Sequence, residues 1–382
     1  MKKQIILFIG TRPEAIKVLP LFLQLKREHS DVFETLLCNT GQHRSMVDQI
    51  LELFEVVPDF DLDVMKEGQS LDELSARVLT KTTTLIKEKK PDAILVQGDT
   101  TTAFVVALAA FYQKKTIIHL EAGLRTRNIY SPFPEEANRK FVSCIANFHL
   151  APTKNNANNL LSEGIMGSNI LIAGNTVIDA LLMTSKKINS SESLRTSITS
   201  KLISKGYQIG KSNYILITGH RRENFGEGFK QICGAILELS KSFQEIDWVY
   251  PVHLNPNVHS IVHELLGNRP NVFLLPPLDY AEFLLLMGDA LAVLTDSGGV
   301  QEEAPSLGKP VYVMRDTTER QEGLEAGLVS LVGKEKETIV SAVKDGIENS
   351  FSKFNLNAKN PYGNGEASTI IGGFLREKLI GD

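Results

Sequence analysis

Three acidic residues fall where short apolar runs give way to helix-like segments. Asp99 follows the run 92–97, within Gln97-Gly98-Asp99-Thr100-Thr101-Thr102. Glu121 follows the run 116–120, within Glu121-Ala122-Gly123-Leu124-Arg125, and Glu135 opens a helix-like segment after the Pro-rich loop 131–134. A single acid at a helix start commonly serves as a cap or a dipole partner. Three along one rim suggest proton chemistry. Crowded carboxylates raise one another's pKa, which gives a proton acceptor and a proton donor near neutral pH. Such a pair is worth roughly 10²–10⁴ in rate when correctly placed.

A second set of residues suits an anion. The apolar run 291–294 stops at Thr295-Asp296-Ser297-Gly298-Gly299, then come a helix-compatible segment with carboxylates in its first turn and another apolar run, 310–314. A strand, a Ser-Gly-Gly turn and a helix present unpaired N–H groups and a positive dipole end. Gly298 and Gly299 let a phosphate approach with no Cβ in the way, and Arg320 can add a bidentate cation. Gly-Gly also fits an ordinary tight strand-to-helix turn. Glu302 and Glu303 suit a helix N-terminus, and one of them could instead accept hydrogen bonds from sugar hydroxyls.

Other strand ends carry cations and imidazoles. Gly10-Thr11-Arg12-Pro13-Glu14-Ala15-Ile16-Lys17 holds Arg12 in a turn and Lys17 one turn later, although Lys17 alone reads as solvated surface charge. Thr218-Gly219-His220-Arg221-Arg222 leans towards anion binding, Pro251-Val252-His253 ends the next run similarly, and His43 occupies a comparable place in Gly41-Gln42-His43-Arg44. The combined picture is a diphosphate held by cations and helix ends, with acids facing it across a cleft. Such a site could bind a sugar nucleotide, ionise its anomeric C–O bond and move a proton on the neighbouring carbon.

Positioning these residues requires alternating elements from end to end. Apolar strands separated by helix-length segments predict parallel sheets covered on both faces, an α/β fold. At 382 residues, two domains are expected. The polar, Ser-rich stretch 186–200 breaks the alternation, so the boundary is placed near it. Residues 1–175 form a first Rossmann-like domain and 176–365 a second, with a final helix within 366–382 returning to pack on the first. In open sheets of this kind ligands bind at the carboxyl ends of the strands.

The remaining composition narrows the classes. Net charge is −4, with 42% apolar and 23% charged residues, so neither nucleic-acid nor membrane binding is expected. Cys38, Cys144 and Cys233 lie far apart in apolar segments, as buried reduced thiols do. The apolar start 5–9 is followed at once by Arg12 and Glu14, so it reads as a strand rather than a signal peptide, and a cytoplasmic protein is expected. There is no GxGxxG or P-loop at the first strand end, no HExxH metal spacing and no GxSxG elbow. No metal or cofactor is expected.

These motifs, taken in order, resemble the bacterial non-hydrolysing UDP-N-acetylglucosamine 2-epimerases. The residues that carry the resemblance are GTRPEAIK (10–17), QGDTTTA (97–103), HLEAGLRT (119–126), PFPEEANR (132–139), GHRRENFGE (219–227), YPVHLNP (250–256), LTDSGGVQEEAPSLGKPV (294–311) and RDTTERQEG (315–323). The variable parts are 155–170, 186–213 and 335–359. The resemblance implies a GT-B-like fold, two Rossmann-like domains around a central cleft. It also implies interconversion of UDP-GlcNAc and UDP-ManNAc without NAD, through elimination of UDP to 2-acetamidoglucal and re-addition. Asp99, Glu121 and Glu135 would be the required acids, with His220 in the catalytic set. Arg12, Lys17, His220, Ser297, Gly298, Gly299, Glu303 and Arg320 match UDP-sugar-binding positions, with Phe283 near the uracil. A homodimer is implied as well.

Some members of that family are activated by substrate at an adjoining second site. Gln42, His43 and Arg222 match it, whereas Ser45 and Gly68 stand where activated members have a glutamine and an arginine. A hydrolysing 2-epimerase and a retaining glycosyltransferase share the fold. The intact GTRPEAIK motif disfavours the first and the joint presence of the three acids the second. A nucleotide-sugar sensor would need the cleft without the acids.

Overall fold

The structure, a computed structural model, describes residues 2–66, 68–221 and 224–381, with the side chain of residue 257 excepted. It divides into two compact units, Met1–Met183 with Tyr362–Asp382, and Thr184–Pro361. Unit 1 runs β1 (Lys3–Ile9), α1 (Arg12–Glu28), β2 (Phe33–Asn39), α2 (Arg44–Phe54), β3 (Phe60–Asp61), α3 (Leu71–Lys89), β4 (Ala93–Gln97), α4 (Thr101–Tyr112), β5 (Thr116–Leu120), α5 (Glu135–Ile145), β6 (Phe148–Ala151), α6 (Lys154–Ser162), β7 (Ile170–Ile172) and α7 (Thr176–Ser190), the last crossing into unit 2. Unit 2 continues with α8 (Glu192–Ser204), β8 (Asn213–Thr218), α9 (Glu227–Ser242), β9 (Ile246–Pro251), α10 (Pro256–Leu266), β10 (Val272–Leu275), α11 (Tyr280–Asp289), β11 (Ala292–Thr295), α12 (Gly298–Glu303), β12 (Val311–Val313), α13 (Gln321–Glu325), β13 (Val329–Leu331) and α14 (Lys336–Glu348). Helix α15 (Ala367–Ile380) completes unit 1.

The expected fold class holds: two α/β units, each with an all-parallel sheet. The first is ordered β3-β2-β1-β4-β5-β6-β7 and the second β10-β9-β8-β11-β12-β13. Central strands such as IILFI in β1 and AILVQ in β4 are buried on both faces, as helix-covered parallel strands require. In each sheet the order reverses beside the first strand, at β1/β4 and at β8/β11. A crevice opens at such a switch point, where ligands of doubly wound sheets bind. The segments that follow these four strands carry Arg12, at the start of α1, and Asp99, His220 and Ser297.

Helix α15 lies on α1. A Cβ at Gly372 would come within 2.5 Å of His29 Nε2, so glycine permits this close approach. The Asp179 carboxylate in α7 accepts the Ser368 N–H at 2.7 Å, which satisfies an orphan donor in the first turn of α15, and Arg376 pairs with Asp31 at 2.8 Å.

Several expectations change. The polar stretch 186–200 is helical: Ser191 caps α8, accepting from Leu194 N–H at 3.3 Å, and Ile198 and Leu202 bury one stripe of it. Residues four apart lie on one face of a helix, so this pair forms a narrow apolar stripe. Stretch 335–359, named above only as variable, contains α14, which buries Ile339 and Val343. Cys38 and Cys233 are buried but Cys144 is exposed, because it sits on the outward side of α5. Helix α12 begins at Gly298, so Glu302 and Glu303 occupy its end rather than its first turn. Among the described residues no helix is long and apolar enough to cross a membrane.

Candidate active site

At the mouth of β1, the chain turns sharply into α1. Glu14, at the third helical position, accepts the N–H groups of Gly10 (2.9 Å) and Thr11 (2.7 Å), half of a capping box that fixes the turn. Its other oxygen accepts from Thr100 Oγ1 at 2.5 Å, which ties this loop to the one after β4. Glu14 is buried, and burial raises its pKa above the usual carboxylate value. A Cβ at Gly10 would lie 2.3 Å from Thr40 Oγ1 and 2.7 Å from Thr102 Oγ1, so only glycine fits there. Arg12 is the first residue of α1 and is half-buried.

One helical turn later Lys17 reaches Glu121, Nζ to Oε1, at 2.5 Å, with the two side chains 17% and 12% exposed. The surface-charge reading of Lys17 is therefore replaced by a largely enclosed ion pair. Gln97 Nε2 donates to Glu121 Oε2, and Asn175 Nδ2 donates to Oε1 at 3.2 Å. Glu121 itself has φ of +63°, a left-handed conformation costly for a side chain of this size. Its hydrogen bonds hold it there. Below it, His119 is fully buried, contacts the Gly98 carbonyl at 2.8 Å through Nε2 and is neutral, burial having taken its pKa down to about 3.

Asp99 follows Gly98, whose φ is +69°. Its carboxylate pairs with Arg139 Nη2, and its carbonyl accepts from Asn138 Nδ2 at 2.9 Å. Burial raises the Asp99 pKa and the Glu121 charge adds to it, while Arg139 and Lys17 act in the opposite direction. Asp99 and Glu121 thus act on each other, while each is also paired with a cation. Glu135 opens α5 on the same helix as Asn138 and Arg139, and its Oε2 is buried without a hydrogen-bond partner among the described residues.

Unit 2 builds a separate cluster from its own switch point. Asp296, fully buried, accepts the backbone N–H groups of His220 (3.0 Å) and Arg221 (2.9 Å), and Asn224 Nδ2 at 3.1 Å. Sequence reasoning singled out the Thr-Asp-Ser-Gly-Gly turn but gave Asp296 no task; its task is to fix the loop after β8. The His220 ring stacks on His253, centroids 5.4 Å apart, and burial lowers its pKa while Asp296 pulls it back up. Arg222 lies outside the described residues.

The Arg320 guanidinium lies against Gly298: a Cβ there would be 2.9 Å from Cζ and 3.0 Å from Nη1. Arg320 Nε donates to Glu302 Oε1 at 2.8 Å and Nη1 to Glu319 Oε1 at 2.5 Å. Of the two adjacent acids, Glu302 is thus committed to Arg320, while Glu303 Oε1 lies beside Gly299. Burial works against the charge on Glu319, but Arg320, Arg315 and Arg221 overcome it and hold its pKa at about 2. Ser297 N–H donates to Thr295 Oγ1 at 2.9 Å, and Phe283 is half-buried on α11.

Gln42 and His43 line a separate open cavity of about 470 Å³ with Ser45, Met46, Asp48 and Met65. Gln42 Oε1 accepts from Thr102 Oγ1 at 2.7 Å, so the cavity adjoins the first turn of α4. Among the described residues no group of His, Cys, Asp or Glu is placed to hold a metal ion.

Residues 25–376 match the sequence profile of the family described as UDP-N-acetylglucosamine 2-epimerase. The chain belongs to that family. It is 48% identical over 381 residues to the UDP-N-acetylglucosamine 2-epimerase of Escherichia coli O157:H7, covering 99% of each chain. The enzyme of the same name from Campylobacter jejuni is 49% identical over 374 residues, 97% of each. A crystal structure of the Neisseria meningitidis UDP-GlcNAc 2-epimerase bound to UDP-GlcNAc superposes with a TM-score of 0.89 at 46% identity, covering 99% of this chain and all of that one. The family resemblance drawn from the motifs is thereby confirmed over nearly the full length, including the segments 155–170 and 186–213 that carry no motif.

Proposed function

We propose that the protein interconverts UDP-GlcNAc and UDP-ManNAc without hydrolysis. A base removes the C2 proton, the C2–H electron pair forms the C1=C2 bond of 2-acetamidoglucal, and the C1–O bond breaks to release UDP. Protonation on the opposite face and re-addition of UDP to C1 complete the epimerisation. Ser297, Gly298, Gly299 and Arg320 hold the diphosphate, Glu303 the ribose hydroxyls and Phe283 the uracil. Arg12, Lys17 and His220 add cationic or hydrogen-bonding contacts. Asp99, Glu121 and Glu135 carry the proton chemistry.

The observation that supports this reading best is the state of Asp99. Burial and Glu121 raise its pKa while Arg139 and Lys17 lower it, which brings a carboxyl group towards the range where it can both take and give a proton. A nucleotide binder has no need of such a group. The product UDP-ManNAc, a homodimer and a role in supplying ManNAc units for bacterial cell-surface polysaccharide belong to the same reading and rest on the family resemblance. A second site at Gln42 and His43 belongs to it too. Ser45 and Gly68 stand where activated members have a glutamine and an arginine, so the rate is expected to rise hyperbolically with UDP-GlcNAc concentration.

Incubation with UDP-GlcNAc in D₂O, followed by NMR, tests the proposal. Deuterium at C2 in an equilibrium mixture of both UDP-sugars is the expected result. Free ManNAc with stoichiometric UDP would show hydrolysis instead, and no exchange would show a binder.

A further inference from the structure

We infer that Arg139 is a positioning residue of the proton chemistry, acting through Asp99 to fix the orientation and charge of its carboxylate. The inference rests on the epimerase reading and concerns a residue on the second turn of α5. Arg139 is 5% exposed. Its Nη2 engages Asp99 Oδ2 and its Nη1 engages Glu136 Oε2 at 3.2 Å. Glu136, fully buried, also accepts the N–H groups of Thr126 (3.0 Å) and Arg127 (3.2 Å), so it cannot swing away and take the guanidinium with it. Next to Arg139 in sequence, Asn138 grips the Asp99 carbonyl. One helical turn therefore holds both the main chain and the side chain of Asp99.

Orientation alone would be a structural role, and two features point further. Among the described residues, the charged groups that act most on Asp99 are Arg139 from α5, Glu121 just after β5 and Lys17 from α1. Lys17 is already paired with Glu121 at 2.5 Å, which leaves Arg139 as the principal cation opposing the burial of Asp99. Removing Arg139 leaves a desolvated carboxyl beside another acid, and both effects push its proton affinity up. The second feature is Arg139 Nε, buried with no hydrogen-bond partner among the described residues. A buried donor left unpaired is costly, which a clamp serving stability alone would be expected to avoid.

The test compares wild type, Arg139→Gln, Arg139→Lys, Asp99→Asn and the Arg139→Gln/Asp99→Asn double variant, with UDP-GlcNAc in D₂O across about pH 5–10. Arg139→Gln is expected to lower kcat at least about tenfold with little change in KM. It should also move to higher pH the limb of the rate profile that disappears in Asp99→Asn. Arg139→Lys should return that limb towards its wild-type position while recovering only part of kcat, because a point charge lacks the planar fork. The double variant should lose no more than Asp99→Asn alone.

Multiplying losses in the double variant, or a wild-type rate profile in Arg139→Gln, would overturn the inference. Should Arg139→Gln fail to fold, Arg139→Lys decides alone: a wild-type kcat refutes the positioning role. Absence of C2 exchange in the wild-type protein would instead refute the epimerase reading itself.

Discussion

Gly298→Ala isolates the contribution of one contact. Gly298 opens α12 without a left-handed φ, so alanine introduces no backbone strain and, by reducing unfolded-state freedom, adds up to about 1 kcal/mol of stability. Its cost is steric and local. The new Cβ would sit 2.9 Å from Arg320 Cζ, and ordinary contact begins near 3.4 Å, so the guanidinium must retreat by about 0.5 Å. Arg320 is only 12% exposed and is fastened by Glu302 at 2.8 Å and Glu319 at 2.5 Å. It cannot retreat without straining these bonds, and charge-assisted hydrogen bonds contribute about 1.5–3 kcal/mol each. On the proposed reading, in which Arg320 holds the diphosphate, its displacement costs about 2 kcal/mol in nucleotide binding, a rise of about thirtyfold in the Kd for UDP. Calorimetric titration with UDP measures it. Gly288→Ala in α11 is the control, because a Cβ there meets nothing within 4 Å. If Gly298→Ala binds UDP as tightly as wild type and melts no lower, Arg320 and Gly298 do not form a phosphate site.

Three further outcomes are expected. Asp99→Asn should leave UDP affinity within about threefold of wild type while lowering turnover by about 10² or more; unchanged turnover removes Asp99 from the mechanism. Lys17→Met, which leaves Glu121 enclosed with Gln97 and Asn175, should cost about 2 kcal/mol in stability as well as activity, and Lys17→Met/Glu121→Gln should melt higher than Lys17→Met. His119 and His149 are buried and their pKa values are lowered from 6.5 to about 3 and about 4 by burial. Both are neutral when folded and take up protons on unfolding below pH 6.5. Their contribution is fully present above 6.5 and is lost as pH falls towards the folded values, at about 1.4 kcal/mol per pH unit for each. Urea midpoints at pH 7 and 5 should therefore differ, and by less in His119→Asn; equal differences would show that His119 does not titrate this way.

Much of the site can be read in the sequence because its residues follow strands directly. A run such as AILVQ with Gly-Asp-Thr after it marks a strand end, and in a doubly wound sheet strand ends are where ligands meet the chain. The division of labour between Glu302 and Glu303 was not legible. Adjacent residues on a helix point about 100° apart, and only the position of Arg320, 18 residues further on, shows which of them it takes. The pairing of Lys17 with Glu121 spans 104 residues and follows from β1 and β5 flanking β4 in one sheet, information held by no local window. Asp296 and Arg139 escaped for a related reason: their partners are backbone N–H groups and a carboxylate brought near by the fold. Helix α8 was missed because its exposed surface is Ser-rich and its buried stripe narrow.

The return of α15 to the first unit has a consequence for synthesis of the chain. Residues 184–361 form a continuous unit and can close as soon as they have left the ribosome. The unit bearing Asp99, Glu121 and Glu135 begins earlier and finishes later, since α1 gains its cover from α15 only when residues 367–380 emerge. Domains usually fold in order from the N-terminus during translation; here the second-encoded unit can be finished first. Premature termination within the last helix would then leave residues 184–361 able to close and α1 without its cover.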